Sequence, residues 1–482
     1  MNRTTAILCL GAISQLPLLA QYRPVIPKTW NDAELEAWTI PPREPGVYTV
    51  HVSASHYYAI PASPIYKSYP IFHPSKEPPG YMDWLKAQEP QISFDPSKLT
   101  SETDWIAAGK LVFEDSTDGH DPDRDVRNPE WYEKLKVRLT SEGIVPGRRY
   151  VIRKKGIVEV SGQSCSTCHS RVMPDGTLRN GPQTNFPLER ENAWRVRMEA
   201  HNLNGLFFPN WSKFTLADPV MEKMMEEYAQ TLEAIPPGVN IRTGVSVLTP
   251  PKVADLIGVK DRRYLDLIGR VQHRNIGDMM RYAAFGPGQT AFYSSQKILP
   301  SWIVPGPSSQ TRFSDEQAFA LALYIYSLEP PPNPNRFDEV AARGQDVFKR
   351  EGCASCHTPP LYTNNKLTLA GDFVPPAEAR AKYEIMNVRV GTDPRSSMRS
   401  VRGTGYYKVP SLKGVWYRGP FEHNGSVATL EDWFDPRRLR DDYVPTGFIG
   451  YGVKTRAVKG HEFGFRLSGQ DKQALIAFLK TL

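Results

Sequence analysis

Long apolar runs are scarce in this 482-residue chain. Past the first twenty residues, no stretch approaches the roughly eighteen consecutive apolar residues of a membrane-spanning helix, which excludes a multi-span membrane protein. Concentrated positive charge is also missing. The 59 Lys and Arg against 52 Asp and Glu give a net charge of +7 with the signs interspersed, and no basic run of the kind nucleic-acid binding needs. Cysteine is sparse, with five residues. A chain this long buries an adequate core without disulfide staples. What is present is an ordinary globular balance, 40% hydrophobic and 23% charged with mean hydropathy −0.45, which rules out wholesale disorder. Proline is plentiful, 43 against 35 glycines, and implies long extended connections. Length alone suggests roughly three domains at about 150 residues each.

The N-terminus reads as an export signal. Arg3 supplies the positive start, Thr5 to Ile13 is short and mainly apolar, and small residues precede plausible cleavage sites after Ser14 or Ala20. Residues 1–20, with Cys9, are therefore expected to be removed, leaving a periplasmic or secreted protein. Leu8 before Cys9 is not the small residue a lipoprotein signal requires.

The other four cysteines form two pairs of identical spacing, each followed by histidine: Cys165-Ser-Thr-Cys168-His169 and Cys353-Ala-Ser-Cys356-His357. C-x-x-C-H is the attachment signature of c-type haem. Two thiols three positions apart on one helical turn can meet the two vinyl groups of one porphyrin, and the next histidine offers its imidazole to the iron. A zinc site would want a second close ligand pair, which neither motif has. A thioredoxin-like redox pair normally occurs once, after a strand. Two covalent haems, with His169 and His357 as proximal iron ligands, are the reading.

The surroundings of the motifs repeat. Ile106-Ala107-Ala108-Gly109-Lys110-Leu111-Val112-Phe113 matches Ala341-Ala342-Arg343-Gly344-Gln345-Asp346-Val347-Phe348. Each copy places glycine one turn before an aromatic, where a second helix can cross closely. After each motif comes an amphipathic closing helix, one capped by Ser314 and running toward Leu328, the other opened by Leu467-Ser468. Between them, Pro330 to Asn335 reads as a stiff linker. The expected fold class is mainly α: two tandem cytochrome c modules, residues 100–329 with insertions and 336–482, behind an extended Pro/Tyr-rich segment at 21–99.

The segment Val409-Pro410-Ser411-Leu412-Lys413-Gly414-Val415-Trp416, with Gly419-Pro420-Phe421-Glu422-His423-Asn424-Gly425-Ser426-Val427-Ala428-Thr429-Leu430-Glu431 after it, resembles the C-terminal domain of bacterial dihaem cytochrome c peroxidases and the related dihaem rubber oxygenases. The resemblance implies two facing cytochrome folds that exchange electrons, one haem closed by two protein ligands and the other able to open to peroxide or dioxygen. The peroxidases close the C-terminal haem with a methionine from a helix after the motif histidine. Here that stretch is Trp433 to Arg438, and no methionine follows Met398. By the resemblance to the rubber oxygenases, His423 becomes the expected second ligand opposite His357, with Met398 as runner-up. For the first haem the distal candidates are His201, His273, Met173, Met279 and Met280, with Phe207, Phe208 and Trp211 as a pocket lining. Trp416 and Tyr417 could couple the haems, and Lys408, Arg418, Arg395, Arg399 and Arg402 could neutralise haem propionates. Single-electron transfer, with a redox partner protein or a small oxidant, is the functional expectation. A haem enzyme of the peroxidase or oxygenase kind is the alternative, and an electron acceptor for a dehydrogenase a third reading.

Overall fold

The computed structural model describes residues 22–43, 48–116, 119–199, 219–241, 247–284, 293–296, 311–400 and 403–482. The export signal, His201, Phe207, Phe208, Trp211 and Arg402 lie outside them. Two pairs of crossing helices carry the architecture. The first pair is Glu102–Glu114 with Asp315–Tyr326, and the second is Glu339–Arg350 with Gly469–Lys480. Each helix starts where its sequence offers a cap. Ser101 with Asp104, and Ser314 with Gln317, form reciprocal capping boxes, while Asp338 and Ser468 accept from backbone N–H groups three residues on.

The repeated glycines are the contact points. A Cβ on Gly109 would run into the Ala320 carbonyl and lie 2.8 Å from Tyr324 Cβ; one on Gly344 would meet the Ala474 carbonyl and lie 2.8 Å from Phe478 Cβ. The aromatic one turn later then packs on the closing helix, with ring centroids 5.2 Å apart for Phe113–Tyr324 and 5.4 Å for Phe348–Phe478. The Pro-rich linker is non-helical, as expected.

Helix predominates over strand, but the protein is mixed rather than clearly mainly α, 36% helical and 13% strand. Strands Ser68–Phe72, Ile144–Lys154, Ile157–Ser161 and Gly119–His120 lie side by side in that order as an antiparallel sheet. The central hairpin turns at Lys155-Gly156, with Gly156 in the left-handed region (φ 82°) that glycine adopts without strain. Its β-branched and aromatic residues (Val145, Tyr150, Ile152, Val158, Val160) pack on Trp131 and Phe186. A smaller three-stranded sheet, Ile385–Arg389, Leu367–Leu369 and Tyr406–Lys408, sits after the second motif.

The described residues between 22 and 99 contribute to the core of the first module. Trp30, Trp38, Tyr57, Ile65 and Phe94 belong to the same buried cluster as Trp105 and Phe319, with Trp30 stacked on Tyr57 at 4.6 Å. Between the modules, Ile40 and Tyr264 pack with Leu367, Leu369 and Tyr406.

Two outcomes follow from this packing. Gly344→Ala should lower stability by roughly 2 kcal/mol or more, because the obstacle is helix backbone rather than a flexible side chain; denaturant titration of wild type and variant measures it. The first opening helix ends at Asp115, whose buried carboxyl is pushed up to about 7 from 3.8, burial outweighing Arg153. The folded protein therefore holds this proton more tightly than the unfolded chain. The stabilisation is present below about pH 4 and is lost as pH rises toward about 7. Asp115→Asn should remove that term, so wild-type stability should fall relative to the variant across this window in parallel pH-dependent unfolding.

Candidate functional site

Cys165–Cys168 forms a single helical turn with His169 as its C-cap. Thr167 Oγ1 donates to the Gly147 carbonyl at 2.9 Å and ties the turn to the long strand. In the second module Cys353–Ser355 is a 3-10 turn entered through Gly352 (φ 74°). All four cysteines are unbonded to one another. Burial pushes the Cys165 thiol up to about 12 and the Cys353 thiol up to about 11. Neither is the low-pKa thiolate of a disulfide-exchange site.

Both motif histidines are held alike. His169 Nδ1 is 3.0 Å from the Ala254 carbonyl oxygen; His357 Nδ1 is 3.2 Å from that of Tyr362 and 3.1 Å from that of Pro410. A carbonyl can only accept, so Nδ1 carries the hydrogen and the lone pair is on Nε2, the arrangement of a metal-binding histidine with its outer partner. Burial lowers the His357 pKa and keeps the ring neutral.

His357, Cys353 and Cys356 border a cavity of about 370 Å³ whose walls are largely apolar, among them Val388, Val390, Val415, Leu430 and Phe434. Lys252 and Arg418 also line it. Burial, reinforced by Arg418, pushes Lys252 down to about 8, and Arg418 Nε is buried with no hydrogen-bond partner. Two cations beside an apolar slot call for anionic groups. The thiol pair, the oriented imidazole, the apolar walls and these cations fit a c-type haem and its propionates.

His423 reaches the same cavity from the side. Its Nδ1 donates to Glu422 Oε2 at 2.6 Å, its ring lies 5.2 Å from that of Tyr407, and its Nε2 is buried without a partner. Burial alone would raise the Glu422 carboxyl, but the His423 ring, its backbone N–H and the Thr392 hydroxyl hold it down at about 2. The histidine that faces His357 is His461, with ring centroids 6.3 Å apart. Burial and the neighbouring His357 push His461 down to about 4, so it is neutral. Met398 is not among the residues lining the cavity; it packs near Gly371.

At the first motif, His273 is engaged at both ring nitrogens, Nδ1 with the Arg262 carbonyl at 2.8 Å and Nε2 with the Tyr326 hydroxyl. Met279 and Met280 are buried in the main hydrophobic cluster. Met173 sits in the tight hairpin Ser170–Val172/Leu178–Asn180, bonded through its backbone to Thr177 and Gly176. Of the expected propionate partners, Arg395 is paired with Asp393 at 2.6 Å, Arg399 is exposed, and Lys408 Nζ donates to the Tyr264 and Leu265 carbonyls while lining the cavity. Lys252 carries no motif, and only tertiary placement reveals it.

One short strap links the two sites. The Lys252 side chain lines the second cavity and its N–H donates to the His423 carbonyl at 2.8 Å; two residues on, the Ala254 carbonyl holds His169. Tyr417 is buried beside the strap, its hydroxyl raised far above the ordinary value by burial and by Asp255. Trp416 packs edge-on against it at 5.1 Å.

A family model described as RoxA-like, cytochrome c-like, matches residues 405–443, the stretch holding His423. The cytochrome c551 peroxidase of Nitrosomonas europaea is 31% identical over 104 residues, 22% of this chain and 28% of that protein. The cytochrome-c peroxidase IdrP1 of Denitromonas iodatirespirans is 28% identical over 163 residues, 30% and 40% of the two chains. The methylamine utilization protein MauG of Methylorubrum extorquens is 27% identical over 143 residues, 30% and 34%. The chain thus spans well under half the length of these curated relatives. Among solved structures, hydrazine synthase of Kuenenia stuttgartiensis overlaps loosely, with a TM-score of 0.32 at 16% identity over 60% of this chain and 87% of that one. The family-model match and the peroxidase and MauG relatives support a likeness of this chain to the dihaem cytochrome c peroxidase-type superfamily.

Proposed function

We propose that this protein is an exported haem oxidoreductase of the dihaem peroxidase type, with one haem on Cys165, Cys168 and His169 and a second on Cys353, Cys356 and His357. When bound, such haems supply one-electron chemistry at iron and, where a coordination position is open, a site for a small oxidant. The N-terminal site is the reactive one in this reading, and the C-terminal site holds and passes the electron. The observation that carries the division is asymmetry. Opposite His357 stands a second imidazole, whereas at the first motif His273, Met279 and Met280, the distal candidates among the described residues apart from Met173 in its hairpin, are committed to hydrogen bonds or core packing.

The chain's own groups support both roles. Ala254, Tyr362 and Pro410 fix the proximal rings through their carbonyls, and Lys252 and Arg418 are placed to neutralise propionates. The strap from Lys252 to Ala254 gives a covalent path between the two sites. Peroxide or dioxygen is the proposed oxidant class, and a reduced redox protein the proposed electron source. No helix among the described residues is long and apolar enough to cross a membrane.

Electron paramagnetic resonance of the oxidised protein, with carbon monoxide titration of the reduced form, tests this. One low-spin and one high-spin signal are expected, with one carbon monoxide bound per chain. Two low-spin signals and no adduct would replace the enzyme by a pure electron carrier.

A further inference from the structure

The stretch that matches the family ends at residue 443, yet the imidazole facing the proximal histidine comes from beyond it. We propose that His461, and not His423, is the second axial ligand of the haem attached at Cys353 and Cys356; this rests on the haem reading of that motif.

The spacing is the first argument. A metal–imidazole bond is about 2 Å and the ring centroid lies roughly 1 Å behind the nitrogen, so two imidazoles on opposite sides of one metal have centroids about 6 Å apart. The His357 and His461 centroids are 6.3 Å apart, with the ring planes at 55°. The gap is as wide as one metal ion bound by both rings would require.

The second argument is how His461 is held. Its backbone is in the left-handed region (φ 49°), unusual for a residue with a side chain. Its N–H donates to the Val390 carbonyl at 2.6 Å, and its own carbonyl accepts from the Arg438 guanidinium at 2.9 Å. The Trp433 indole N–H donates to His461 Nδ1 at 3.2 Å and fixes the ring, which lines the cavity. An unfavourable backbone pinned from three sides is what a positioned ligand needs. With Nδ1 accepting from Trp433, the neutral ring carries its hydrogen on Nε2. Ligation through Nε2 takes the other tautomer, so the ring hydrogen moves from Nε2 to Nδ1 and the Trp433 hydrogen bond is given up as the nitrogen bonds the metal.

His423 is also held as a ligand would be, Nδ1 against Glu422 and Thr392 and Nε2 unpartnered, but its ring lies 5.2 Å from Tyr407, and the imidazole that faces His357 is that of His461. Glu422 and His423 line the cavity beside Lys252, whose N–H donates to the His423 carbonyl.

The test uses holoprotein from a host competent in cytochrome maturation, with haem retention read by staining on a denaturing gel. His461→Ala should keep both covalent haems but convert the low-spin signal of one to high spin, and added imidazole should restore it. His423→Ala should leave the spin populations unchanged. His461→Met guards against a variant that fails to fold: it should stay six-coordinate with a raised midpoint potential, because thioether ligation favours reduced iron. Unchanged spectra and potential in the His461 variants, or a new high-spin signal in His423→Ala, would overturn the assignment. Wild-type protein without covalent haem would instead remove the reading beneath it.

Discussion

A backbone carbonyl facing the Nδ1–H of each motif histidine is the constraint on which the rest of the structure depends. In the first module the carbonyl is distant, that of Ala254, far along the chain from His169; in the second, the distant Pro410 joins the nearby Tyr362. Each ring can be oriented only once distant segments have packed. Those segments pack because the glycine-mediated helix crossings bring the two ends of each module together. Helix contact, carbonyl placement and imidazole tautomer are thus links of one chain, and a metal-binding nitrogen is its product.

The same logic explains the buried charge. Lys252 and Arg418 beside an apolar slot are costly even with Glu422 and Asp255 near the lysine and the Ser411 carbonyl bonded to the arginine, because Arg418 Nε is left buried without a partner. Anionic groups of a bound cofactor offset that cost, so the cations read as part of a binding site. The Glu422–His423 pair, in contrast, is satisfied internally except at one nitrogen. It stands next to the strap, whose Lys252 N–H donates to the His423 carbonyl.

Much of this was legible in the sequence. The two C-x-x-C-H motifs, the crossing glycines Gly109 and Gly344, the Ser314 cap and the Pro-rich break all depend on local spacing, and the structure has each in place. The central hairpin of the larger sheet is also written locally, since Tyr150, Ile152, Val158 and Val160 alternate around a Lys155-Gly156 turn, a strand signal that a reading in helices alone does not contain. Lys252 and His461 were not legible. Each is a single residue with no motif, and its role comes from a loop path that only tertiary packing defines. His423 drew attention because it sits in a recognisable pattern, although the pattern does not say which atom of the ring faces the cavity.

The central claim is that two porphyrins are covalently held, one at each carbonyl-oriented histidine. Intact-mass spectrometry of the denatured protein, produced with cytochrome maturation, tests it most directly. The account predicts the polypeptide mass plus two haems, with one lost when Cys165 and Cys168 are replaced and the other when Cys353 and Cys356 are. A wild-type mass carrying one haem or none would contradict it.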